Sequence, residues 1–219
     1  DDGEQRPVAV TGHRCVGRLA DPPALTLFAL FPFLNARPQI AGFALLAVTV
    51  LVWREWASPW WLLPVFVTWI NVHGTWLYGV MVIGLLVAAE VVDARRVTAR
   101  SFALVGAALG GTALGALLYP VRFELLLLPT RQFGDPVERA AIRSYREWEP
   151  LHLNEPIGWA FAVVLLAAVW GCVRTRRWAM ASVAVLLGVM GVTSSRMVPV
   201  AAVALVPFAA MGIDGLCLL

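Results

Sequence analysis

Long stretches of this chain carry no charged residue, among them Ile40 to Trp53, Phe102 to Tyr119, Ile157 to Val173 and Trp178 to Val192. Apolar runs of that kind belong in a lipid bilayer, where a helix satisfies every backbone polar group within its own segment. The composition agrees. Of 219 residues, 60% are hydrophobic and only 14% charged, and the mean hydropathy is +0.76. A soluble domain is closer to half apolar and a quarter charged. The expected fold is therefore all-α: a polytopic transmembrane helical bundle of six to seven membrane helices with an amphipathic outer loop.

Residues 1–23 form an irregular polar segment, and 24–219 form the transmembrane helical domain. The chain begins at Asp1, and its N-terminus lacks the basic-then-apolar order of a signal peptide, so we expect a fragment of a longer chain. The run from Ala24 to Leu34 is too short to span alone by the roughly twenty-residue requirement. Pro38 suits the first turn of the next helix, which ends at Arg54-Glu55. A short helix from Trp60 to Asn71, a polar turn from Val72 to Gly74 and a returning helix from Thr75 to Val92 follow. Asp93 to Arg100 is a basic loop.

The next span, Phe102 to Tyr119, contains Gly106-x-x-x-Gly110 and Gly111-x-x-x-Gly115, spacings that let two helix backbones approach closely. In the long polar stretch from Val121 to Pro156, charges and apolar residues recur at helical spacing between Val137 and Trp148, as in a helix lying on the membrane surface. Two further spans are separated by Arg174-Thr175-Arg176-Arg177. The last apolar segment, Met197 to Met211, contains Pro199 and Pro207, which are expected to bend it.

All 17 basic residues are arginine, and their placement gives a topology. If each apolar segment crosses, the turns at Arg54, Asp93 to Arg100 and Arg174 to Arg177 share one face, which carries seven arginines in short loops. The positive-inside tendency makes that face cytoplasmic. The chain is then a multi-pass protein of the cell (plasma) membrane, with loop 121–156 and turn 71–74 on the outer face. Its immediate partner is the lipid bilayer.

The outer face collects Arg37, Asn71, His73, Glu147, Glu149 and Arg196. Arginines bind phosphate through planar bidentate donors, and an imidazole or carboxylate can serve a hydroxyl as general base. That set fits a substrate carrying a phosphate and a hydroxyl acceptor. Asn71 and His73 have two readings: contacts to a substrate, or partners for orphan backbone groups at two helix ends. For Glu147-Trp148-Glu149, a solvated loop with an interfacial tryptophan outweighs catalysis. Arg196 is a lone charge between apolar helices, and such charges are functional by default. The ten tryptophans fit an interfacial belt. Cys15, Cys172 and Cys217 are far apart, and no metal-ligand spacing, nucleotide loop or nucleophile elbow is present. No cofactor, metal or nucleic-acid partner is expected.

An ordered series of motifs resembles the C-terminal part of bacterial multi-pass proteins of the GT-C glycosyltransferase superfamily, the group similar to lipid-phosphate-sugar-dependent mannosyltransferases. The series is Arg37-Pro38-Gln39, Trp69-x-Asn71-x-His73-Gly74, Tyr119-Pro120, Glu147-Trp148 and Arg196-x-x-Pro199, and it covers Leu25 to Met211. The resemblance implies a helical bundle with an outward-facing site and a polyprenyl-phosphate sugar donor. Arg37 and Arg196 would hold the lipid phosphate, Asn71 and His73 would orient donor or acceptor, and Glu147 would position a hydroxyl. The chain departs from the pattern in two places. It has no counterpart of the acidic residue in the first outer loop, and it has Tyr119-Pro120-Val121-Arg122 where relatives have Asn-Pro, an aromatic residue and Gly. Other readings are a transporter or flippase-like carrier of a lipid-linked or anionic substrate, and a structural membrane subunit.

Overall fold

A computed structural model describes residues 26, 27, 30, 39–54, 57–119, 124, 126, 127, 134, 136 and 148–216, with side chains as far as 211. These residues form seven α-helices and no strand. They are α1 (Gln39–Trp53), α2 (Leu62–Val72), α3 (Trp76–Ala94), α4 (Ala99–Leu118), α5 (Pro156–Arg174), α6 (Trp178–Thr193) and α7 (Val198–Leu216). Single 3-10 turns, Pro59–Trp61 and Ser195–Met197, lead into α2 and α7. The helical bundle expected from the apolar runs is the observed fold. The surface helix expected over Val137 to Trp148 lies outside the described residues except for Trp148, as do Arg37 and Glu147.

Three helices, α3, α4 and α5, are long and apolar enough to cross a membrane. At 19 to 20 residues each, they reach roughly 30 Å, the thickness of the hydrocarbon layer. Their ends follow from local chemistry. Pro156 occupies the first position of α5, where its missing N–H costs no hydrogen bond. Thr98 and Ser101 cap α4 reciprocally: Thr98 Oγ1 accepts from the Ser101 N–H at 3.1 Å, and Ser101 Oγ accepts from the Thr98 N–H at 3.4 Å.

Helix α7 is the axis of the packing. Val198, the run Val200 to Leu205, Phe208 and Ala209 are all buried, so the helix is covered on every side, as an evenly apolar helix must be. It lies along α5 and also meets α6 and α1, where Phe208 and Trp53 rings stack at 5.7 Å. Pro199 sits in its first turn and Pro207 inside it.

Helix α2 lies along the C-terminal half of α4. Gly111 and Gly115 face the Leu63 and Val67 backbone there, so a side chain at either position would collide with α2. Gly106 and Gly110 face open space. Of the two glycine pairs, only the second brings two described helices together.

The turns assigned to one face by their arginines do meet at one end. Arg100 Nη2 donates to the Val52 carbonyl at 2.6 Å, satisfying a C-terminal carbonyl of α1. Trp53 Nε1 donates to Glu90 Oε2 at 3.0 Å. Asp93 accepts from the Ala179 and Met180 N–H groups at 2.8 and 3.1 Å, so a carboxylate of α3 caps the N-terminus of α6. At the opposite end, the Leu151 N–H donates to Val192 O and the Ser195 N–H to Glu149 O, both at 2.9 Å. These two bonds dock the loop after Trp148 on the turn between α6 and α7.

Candidate functional site

The opposite end holds the described candidates, and the α2–α3 turn is its centre. His73 ends α2 with an extended backbone, its N–H donating to Trp69 O at 3.0 Å. Thr75 begins α3 and is buried. Trp69 Nε1 can only donate, so Thr75 Oγ1 accepts from it at 3.0 Å. The threonine hydroxyl proton is then directed to His73 Nδ1 at 3.1 Å, and the Thr75 backbone N–H also donates to Nδ1, at 3.2 Å. Nδ1 is therefore an acceptor, and the neutral imidazole carries its proton on Nε2. In this arrangement the His73 ring is oriented by Thr75 through Nδ1.

The buried Trp69 ring fixes the turn from beneath. Gly79 lies against that ring and Gly42 against the Trp69 and Thr75 polar atoms, so α1 and α3 approach the hydrogen-bonded hub where only a glycine fits. Asn71 is an exposed residue of the last turn of α2. Its Nδ2 donates to Val67 O at 2.8 Å and Gly115 O at 3.3 Å. The second acceptor is one of the last four carbonyls of α4, which have no partner within their own helix. Asn71 thus closes a helix end, one of its two sequence readings.

Arg196 sits in the 3-10 turn that opens α7, half-buried, with its guanidinium 5.1 Å over the Trp148 ring. A cation over an indole face is held by the ring's quadrupole. Trp148 thus holds Arg196 from the loop that precedes α5. Arg196 therefore links two parts of this end: the loop at Trp148 and the start of α7.

Thr75 is the residue that sequence reasoning missed. It gives no signal, because its role depends on Trp69 folding back over it. Among the described residues no group of histidine, cysteine, aspartate and glutamate is placed to hold a metal ion.

Fold and composition together define a polytopic helical protein of the membrane. No family model, curated protein or solved structure matches the chain.

Proposed function

We propose that the chain is part of a membrane glycosyltransferase that takes its sugar from a polyprenyl-phosphate donor, and that the end carrying His73 and Arg196 receives the donor's phosphate. The observation that carries this reading is the placement of Arg196. It is a guanidinium at the end of an apolar bundle, held 5.1 Å over the Trp148 ring. A polyprenyl phosphate presents an anion at the membrane boundary and a hydrocarbon tail below it, and an arginine at that level meets the anion while apolar helices meet the tail. His73, its ring fixed by Thr75, would orient donor or acceptor. Arg37 and Glu147 join this set through the resemblance, Arg37 at the phosphate and Glu147 at the acceptor hydroxyl. Asn71 contributes by holding α2 on α4. The positive-inside tendency puts this end outside the cell.

The test is transfer of sugar from a polyprenyl-phosphate donor by the full natural chain in membranes. Arg196→Gln is expected to lower transfer about a hundredfold with helix content unchanged, as expected when a charge-assisted contact to phosphate is lost. Arg196→Lys should recover part of it. Undiminished transfer in Arg196→Gln contradicts the assignment. Movement of the lipid-linked sugar across the membrane without transfer would give the same arginine to a carrier.

A further inference from the structure

At the arginine-rich end, two turns far apart in sequence close in the same way. α3 ends with the Arg95 N–H on Val92 O at 3.3 Å and the Arg96 N–H on Val91 O at 3.2 Å. α5 ends with the Arg176 N–H on Val173 O at 3.0 Å and the Arg177 N–H on Cys172 O at 2.8 Å. In each, the first arginine takes the left-handed backbone that glycine usually supplies, with φ 52° at Arg95 and 56° at Arg176. A side chain there is sterically penalised, and both turns carry the penalty with an arginine. The bonds from Asp93 to α6 hold the two turns side by side.

Between the turns lies a cleft of about 350 Å³, lined by Glu90, Asp93, Thr175, Arg176 and Arg177 among others. Its carboxylates are engaged: Asp93 by the α6 amides and Glu90 by Trp53. Arg95, Arg96, Arg176 and Arg177 are exposed. Beside them, Val92 and Trp178 present apolar surface, 64% and 60% exposed.

We propose that this cleft binds the phosphate headgroup of an anionic phospholipid in the leaflet at that end of the bundle. Arg176 and Arg177 meet the phosphate, Arg95 and Arg96 add to the local positive potential, and the acyl chains run along Val92 and Trp178. Arginine suits the role because its planar fork matches phosphate oxygens in pairs, and basic pockets between membrane helices are established headgroup sites. Nothing here depends on the transferase reading.

Native mass spectrometry of the full chain from nanodiscs of mixed phosphatidylglycerol and phosphatidylcholine tests the proposal. The wild type is expected to retain phosphatidylglycerol in preference to phosphatidylcholine. Arg176→Gln with Arg177→Gln should weaken that retention about tenfold or more, as expected for two arginines at a charged surface. Arg54→Gln, at the same end but outside the cleft, should leave it unchanged. Equal retention of the two lipids by the wild type overturns the proposal even if the double variant does not fold. So does an equal loss in Arg54→Gln, which would mean diffuse surface charge. Inorganic phosphate should leave the lipid bound, and complete displacement by it would make the cleft a site for a free anion.

Discussion

At the arginine-rich end, Asp93, Glu90 and Arg100 each reach from one helix to another, whereas at the opposite end Trp69, Thr75 and His73 bond one another within a single turn and its flanking helices. The first set ties together α1, α3, α4 and α6. The second shapes one turn; elsewhere at that end Asn71 reaches α4, and Arg196 with two backbone hydrogen bonds holds the loop after Trp148. A polar side chain at membrane depth is accounted for once its partner is found, and most of those at both ends are. A chemical role belongs to groups whose contacts do more than satisfy a helix end. At one end the proposed site rests on Arg196. At the other it rests on the four exposed arginines around the cleft.

This contrast predicts unequal effects of mutation. The largest belongs to Asp93→Ala, which removes both acceptors at the N-terminus of α6 and parts two helices. Losing two charge-assisted bonds should lower unfolding free energy by about 3 kcal/mol. Titration of helix content with dodecyl sulfate in mixed micelles measures it, and wild-type stability in this variant would break the contrast. Thr75→Val keeps the shape of the hub but removes its hydroxyl, so Trp69 Nε1 is left buried without that acceptor. Its loss should be smaller, about 1 to 2 kcal/mol. It also sharpens the comparison, because His73 Nδ1 loses one of its two donors. Nitrogen-15 NMR of the imidazole should then show a mixture of tautomers in place of the single Nε2-protonated form of the wild type. An unmixed Nε2–H tautomer in Thr75→Val would mean that the backbone N–H alone fixes the ring.

The spans were legible in the sequence because length and lack of charge are local properties. Ile157 to Val173 became α5 (Pro156–Arg174), and Thr75 to Val92 became α3 (Trp76–Ala94). The two polar ends were legible because arginines mark alternate turns. Partners were not. Asp93 finds its acceptor role 86 residues away at Ala179, and no local pattern carries that distance. Trp60, Trp61, Trp159 and Trp178 are exposed, as a belt requires, whereas Trp53, Trp69 and Trp76 are buried. Trp53 and Trp69 enter the interior because Glu90 and Thr75 accept their indole protons. The two glycine pairs of α4 read alike, yet only Gly111 and Gly115 meet α2, because that helix is short and covers only half of α4. Among the site candidates, Arg196 was legible as a lone charge at a span boundary. The proton position on His73 was not, since it depends on a threonine folded against a tryptophan.

Opposite placement of the two ends across the membrane is the claim on which both functional assignments stand, and cysteine labelling measures it directly. Cys15, Cys172 and Cys217 are replaced by alanine, and single cysteines are introduced as Gly74→Cys and Arg176→Cys. A side-chain carbon added at Gly74 would meet no atom within 4 Å, and Arg176 is exposed, so both sites tolerate the change. In sealed right-side-out vesicles, a membrane-impermeant maleimide should label Gly74→Cys at once and Arg176→Cys only after permeabilisation. Labelling of both from the same side would contradict the arrangement.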